Sequence, residues 1–400
     1  MLLAPALTAV AQTLKIHSGQ ITVAVPAATA GDMTFTSGTS LTVMGRTYYL
    51  SAVDSITVDN SVTAPASVGV VYAGSTARVT VSADVAPRLA ITATGADISV
   101  VADATLAEEV RYTLSGASAD GSFFMDGEYR ASVTLDGLTL TSRRGAAIDI
   151  ANGKRISVVL PEGTVSTLAD AAGGQHKACF FVNGHAEFEG GGRLVLTGNS
   201  RHAYASDEYT LLKPGFGTID VLSAAVDGLH VEQYFKMQGG TVNVKGTQGD
   251  CVDVSITKDP LDEFNGQAFV EGGTLTLDVA AEDVKGLKSD SLITVSGGTL
   301  TATVSGNGSK GLSAGTSLLV NQSSGQATLI KMTVTGTTYM PGDPLLESKC
   351  RGIRAKGDFT FDGGRIDIVA TGKSSKAVKV DGNYYYKSGS INCAIDAANL

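Results

Sequence analysis

Gly239-Gly240-Thr241-Val242-Asn243-Val244 is a glycine pair followed by an alternating strand, and the phrase returns down the chain. It recurs as Gly272-Gly273-Thr274-Leu275-Thr276-Leu277 and Gly297-Gly298-Thr299-Leu300. It returns again as Gly363-Gly364-Arg365-Ile366-Asp367-Ile368 and Ser388-Gly389-Ser390-Ile391-Asn392-Cys393. Ahead of each pair lies a second alternating run, marked by Phe235 and Met237, Ala268 and Val270, Ile293 and Val295, Phe359 and Phe361, Tyr384 and Tyr386. A third phrase sets a small residue before an apolar one. It marks Ala147-Ile148, Ala178-Cys179, Ala203-Tyr204, Gly228-Leu229, Cys251-Val252, Gly286-Leu287, Gly311-Leu312, Gly352-Ile353 and Ala377-Val378. Its successive steps are 31, 25, 25, 23, 35, 25, 41 and 25 residues, which is one unit with occasional insertions.

Period-2 alternation makes each run a short strand, and the glycines make the turns between them. Units stacked at about 4.8 Å bring equivalent residues into columns. Leu229, Val252, Leu287, Leu312, Ile353 and Val378 form one apolar column, and Leu194, Val242, Leu275, Leu300, Ile366 and Ile391 another. With the column of the second run these close a triangular core. The sequence therefore predicts an all-β chain, a right-handed single-stranded parallel β-helix with three strands per coil of about 25 residues.

The β-helix is expected over residues 105–400, with insertions at 256–266 and 335–349. Residues 12–60 read as a small N-terminal β module and 61–104 as a β-rich linker or cap without the repeat; Ala104–Val110 has the only helical pattern. Residues 1–11 are apolar and end in small residues, as in the remnant of a signal peptide. A secreted protein of the cell surface or periplasm is expected, acting as a monomer. No stretch reaches the roughly 18 apolar residues of a membrane span. A net charge of −9 argues against nucleic acid, which needs a basic face.

Further motifs carry a resemblance. Val110-Arg111-Tyr112-Thr113-Leu114-Ser115-Gly116, Asp120-Gly121-Ser122-Phe123, Val133-Thr134-Leu135-Asp136-Gly137-Leu138-Thr139-Leu140-Thr141 and Gly145-Ala146-Ala147-Ile148 follow in that order. Residues 105–400 thereby resemble the carbohydrate-binding-domain-containing, pectate-lyase-like β-helix proteins of Bacteroidetes and clostridia. The run 46–58 resembles the N-terminal module of many secreted Bacteroidetes proteins. The resemblance implies calcium-assisted binding of acidic plant polysaccharide, with no established catalysis. Members often carry paired acids before the Gly-Ile step; here Asp227 and Asp250 hold that place, and later coils have Lys or Arg.

Before the small residue the column reads Lys177, His202, Asp227, Asp250, Lys285, Lys310, Arg351, Lys376, and Lys288, Arg354 and Lys379 follow three positions on. Stacked like charges repel, and a polyanion would relieve them. Lys285, Lys288, Lys310, Arg351, Arg354, Lys376 and Lys379 are thus candidate ligands for a uronate-containing, pectin-like glycan; the alternative is a plain solvated face. Asp227, Asp250 and Asp253, with Asp259, Asp262 and Glu263 of the first insertion, are candidate Ca2+ ligands, because calcium takes carboxylate oxygens. His202 and His230 read as surface residues. The chain has no H-E-x-x-H, G-x-S-x-G or Walker motif. A pectate-lyase-like enzyme using Lys285 beside Asp250 is the alternative to non-catalytic binding, and a structural or adhesive surface protein is a third reading.

Four cysteines invite a disulfide reading, but the coil register separates them. Cys251 and Cys350 lie about 14 Å apart along the axis, beyond disulfide reach. Four free thiols are expected, with Cys179 in the first core column and both Cys179 and Cys393 buried.

Overall fold

In the computed structural model, which describes residues 12–323, 325–343 and 346–395, the chain is all β apart from short turns of helix such as Ala27–Ala30. The signal-like residues 1–11 lie outside the described residues. From Ile148–Ile150 to Leu318–Asn321 each strand pairs in parallel with the strand three further on, and beyond that the second-face and third-face strands are merged in Phe359–Ala370. On the first face, Leu229–Glu232 pairs with Val252–Ser255, then come Lys285–Ser289, Lys310–Ala314, Arg351–Ala355 and Lys376–Val380. On the second, Tyr234–Met237 leads to Gln267–Val270, Ile293–Val295, Leu318–Asn321 and the start of Phe359–Ala370. On the third, Thr241–Val244 leads to Thr274–Val279, Gly298–Val304, Thr328–Val334 and the end of Phe359–Ala370.

Between these faces the inward columns meet. Leu229, Val252, Leu287, Leu312 and Ile353 are buried with Val242, Leu275, Leu300 and Ile366, and with Phe235, Ala268, Ile293 and Phe359. Each fully buried Leu, Ile, Val or Phe side chain stabilises the fold by about 1.5–3 kcal/mol relative to exposure. The second residue of each glycine pair has positive φ, as at Gly240 (77°), Gly273 (80°) and Gly298 (76°), which opens the turn from the second face to the third. The small-residue column has a different cause. A Cβ on Gly311 would stand 2.7 Å from both Gly352 O and Met332 Sδ, and one on Gly286 2.5 Å from Gly311 O, so the corner into the first face closes only on a small residue.

Before the repeat, Thr13–Ser18 and Ile21–Pro26 form a hairpin that also pairs with Ser55–Asp59 and with Thr76–Ser82. Ser67–Ala73 then pairs in parallel with Val110–Ser118, so one sheet continues across positions 60 and 104. Residues 104–109 are turn and coil, not helix: Asp103 accepts the Thr105 N–H, and Val110 already opens the next strand.

Two expectations about the columns need correction. Phe180 pairs with Tyr204 and with Ile148, so the small-apolar step is Cys179-Phe180, and Cys179 stands in the small column with Cys251. The Phe180 ring packs edge-on to Tyr204 at 5.7 Å, and its bulk claims the inward place. At the other end, Tyr384 and Tyr386 are 49% and 57% exposed and Cys393 is exposed. They do continue the inward columns, packing on Phe359 and Phe361, but no further described strand covers them.

Candidate functional site

On the outer side of the first face a groove of 570 Å³ is lined by Lys285, Lys288, Lys310, Arg354 and Lys356, with Asp290 its one carboxylate. The stacked register puts these side chains together: Lys285 opposes Lys310, Lys288 opposes Ser313, and Ser313 opposes Arg354. Four of the seven cations expected from the sequence therefore share one cavity.

Each is also tethered. Lys285 Nζ donates to Asp283 O at 2.7 Å, Lys288 pairs with Asp253 and Asp290, and Lys310 lies 2.9 Å from Asp283 Oδ1. Ser348, from the second insertion, bonds both Lys310 and Asp283. Lys310 is accordingly part-covered rather than fully outward, and burial, opposed by Asp283, holds its ammonium below the usual lysine range. Arg354 pairs with Asp381. Lys356 has no carboxylate partner among the described residues; it follows the Asp290 and Gly315 positions in the outer row.

Arg351 is the clear departure. It is 8% exposed, with its guanidinium donating to Cys350 O and Ser374 O, so it seals a backbone corner instead of facing ligand. Lys376 and Lys379 lie on the next strand, outside the groove lining, and Lys379 pairs with Asp381.

The six candidate calcium ligands are not gathered into one set. Asp227 Oδ1 accepts the Asp250 N–H at 2.7 Å, and its Oδ2 faces His202 at 3.1 Å and His230 at 3.4 Å. Asp253 Oδ1 takes the Lys288 ammonium at 2.6 Å, and Oδ2 lies 2.9 Å from His230. Asp250 accepts the Lys285 N–H, and burial, opposed by the Lys285 charge, pushes its carboxyl up to about 6. One oxygen of each of these acids is committed to an N–H or ammonium donor and the Oδ2 atoms of Asp227 and Asp253 face imidazole nitrogens, whereas calcium takes about six to eight oxygens, so this set does not fit calcium.

The acidic insertion goes elsewhere because its aromatic residue docks on the second face. Phe264 packs edge-on to Tyr234 and Phe269, and Lys236 caps the three rings. Gln233 bonds Glu263 O, Thr257 bonds Asp262, and Asp259 turns back on the Leu261 N–H. Tyr234 in turn stacks on Tyr209, and Tyr209 on His185, a ring ladder that periodicity alone does not reveal.

His202 and His230 also depart from expectation. Their rings stack at 4.4 Å between adjacent strands of the first face, and His202 is buried. Burial opposes a charge on His230, but Asp227 and Asp253 outweigh it and push the imidazole up to about 9. The signal was available: His230 lies three residues after Asp227, opposite Asp253 in the ladder.

No helix among the described residues is long and apolar enough to cross a membrane. No curated protein sequence matches the chain. Among solved structures, a polysaccharide lyase-like protein from C. thermocellum, determined as a gadolinium derivative, is similar with a TM-score of 0.52 and 19% identity. The match covers 66% of this chain and 99% of that one, and at this identity it shows shared fold alone. A family model matches residues 94–392, nearly the whole span of stacked strands and all of the basic groove: the chain belongs to the carbohydrate-binding domain-containing protein family.

Proposed function

We propose that the chain holds an acidic, uronate-containing polysaccharide of pectin-like type along the basic groove without cleaving it, and that it does so outside the cytoplasm. The stacked ladders are read as coils of a right-handed parallel β-helix, the hand that parallel crossovers take. One observation carries the ligand class: five cations and one carboxylate line a single open groove on a chain of net charge −9. Such a local concentration of positive charge attracts carboxylates, and a uronate would compete with Asp381 for the Arg354 guanidinium. The groove runs across successive strands of one ladder, so an extended polymer would meet equivalent cations at the coil spacing. The acids near the groove are held by Lys and His and offer calcium no set of oxygen ligands.

Calorimetric titration with polygalacturonate and with a neutral glucan, each with and without chelator, tests this reading. Binding of polygalacturonate alone, weakened by salt and indifferent to chelator, is the expected result. Equal binding of the neutral glucan, or no binding of either, overturns it. Appearance of unsaturated products would replace binding by lyase activity.

A further inference from the structure

We propose that His202, Asp227 and His230, joined by Asp253, form a site for one divalent transition-metal ion of the zinc class. The ligand atoms of His202, Asp227 and His230 all lie within 4.8 Å of one another, the one such group of three or more His, Cys, Asp or Glu among the described residues. Both imidazoles turn Nδ1 toward the same Asp227 oxygen, at 3.1 and 3.4 Å, and Asp253 Oδ2 stands 2.9 Å from His230 Nδ1. Two ligands on one tetrahedral zinc, each at about 2.0–2.1 Å, stand about 3.3 Å apart. The Asp227 contacts to both imidazoles and the Asp253 contact to His230 are thus close to edges of such a site, with Asp253 the outermost of the four.

The hydrogen bonding points the same way. His202 Nδ1 accepts a long bond from the Asp227 N–H at 3.3 Å, so its lone pair and the Asp227 carboxylate, both acceptors, face each other. His230 Nδ1 is buried and, despite two carboxylates within ion-pair reach, makes an aligned hydrogen bond to neither. A cation among these atoms would satisfy all of them. Two nitrogens with carboxylate oxygen favour zinc or its neighbours over calcium or magnesium, which take oxygen donors.

The backbone supplies the preorganisation. His202 opens one strand, Asp227 and His230 flank the start of the next, and Asp253 directly opposes His230 on the third. The outer partners are those a metal site needs: the Asp250 N–H on Asp227 Oδ1 and the Lys288 ammonium on Asp253 Oδ1 orient the carboxylates, so that each Oδ2 faces the imidazoles, with Ser255 Oγ also donating to Asp253 Oδ2 at 3.2 Å.

Chelator-stripped protein titrated with zinc chloride by calorimetry tests the site, with cobalt(II) absorption as the geometric readout. One zinc per chain is expected, with a raised Tm, tetrahedral-type cobalt bands and no response to calcium or magnesium. His230→Gln and Asp227→Asn should each weaken zinc at least about tenfold, while His185→Gln, on another face, should not. Circular dichroism shows whether each variant is folded, and the wild-type titration stands without them. No zinc heat and no cobalt bands in the wild type would overturn the proposal and leave an ion-pair network. Unchanged affinity in both folded variants would place the metal elsewhere and overturn it equally.

Discussion

Lys288 couples the basic groove to the histidine pair: its Nζ lies 2.6 Å from Asp253 Oδ1, and the other oxygen of Asp253 faces His230 at 2.9 Å. Burial would raise Asp253, but His230 and Lys288 together hold its carboxyl below the usual range. The same contact, working against burial, pushes Lys288 up to about 12. A residue that lines the basic groove therefore also neutralises a buried acid.

Removing that ammonium has a measurable cost. Lys288→Ala leaves a buried carboxylate with His230 as its remaining charged neighbour, and stability should fall by about 1–3 kcal/mol. The double variant Lys288→Ala, Asp253→Asn should recover much of the loss, because the neutral amide needs no counter-ion. Urea unfolding midpoints at fixed slope measure both. Additive losses in the double variant would show that the pair is not coupled.

The groove and its rim should separate cleanly. Lys356→Glu reverses an exposed lining charge and should weaken polygalacturonate by up to about tenfold, about 1.4 kcal/mol, with the melting temperature little changed. Arg351→Glu should do the reverse. Its guanidinium is bonded to Cys350 O and Ser374 O in a buried corner, so an acid there loses both bonds and faces two carbonyls. Thermal melts beside calorimetry distinguish lost affinity from lost fold.

The contrast between those variants shows what sequence could and could not reveal. Periodicity reports which residues share a row, and the rows of Leu287 and Leu312, or Lys285 and Lys310, are true neighbours in the ladder. It does not report how far each side chain reaches. Arg351 continues the row of Lys310, yet its longer side chain folds back onto the backbone. Nor does it show where an insertion lands: the acidic loop follows Phe264 onto Tyr234 instead of joining Asp250. The Cys179 register slipped by one residue because alanine, cysteine and phenylalanine in succession offer two readings of small-before-apolar, and only packing chooses between them. His202 and His230 are 28 residues apart, more than one regular step, so their ring stacking came from the corner geometry and not from a visible repeat.

Lys310 gives the pH dependence. Its lysine value lies below the ordinary 10.5 in the folded protein, chiefly through burial. As pH rises toward 10.5, Lys310 should lose its proton before an exposed lysine does, and polygalacturonate affinity should begin to fall there. Lys310→Arg should hold its affinity through the same range, because guanidinium stays charged. Folding stability has the opposite sign. In the window between the lowered folded value and 10.5 the folded state binds fewer protons than the unfolded one, so this residue's contribution grows as pH rises. Identical affinity profiles for wild type and the Arg variant would remove Lys310 from the ligand contact.

The cysteines test the stacking itself. All four are free, and Cys179, Cys251 and Cys350 are buried, while Cys393 is exposed on the last described strand. Thiolate is the reactive form, and burial pushes the Cys251 thiol up to about 12, with its Sγ also turned to Asp278 O. Burial likewise raises the Cys179 thiol well above its ordinary value. Cys350 gives its Sγ to Gly306 O, so it too is held within the structure. A thiol reagent added to native protein without reductant should therefore modify Cys393 rapidly and the other three only as the stacked strands unfold. In denaturant, still without reductant, all four should react. Rapid native labelling of Cys251 or Cys350 would mean that the corner packing around the small-residue column is wrong. Fewer than four modified cysteines in denaturant would mean a disulfide, which the stacked register does not allow.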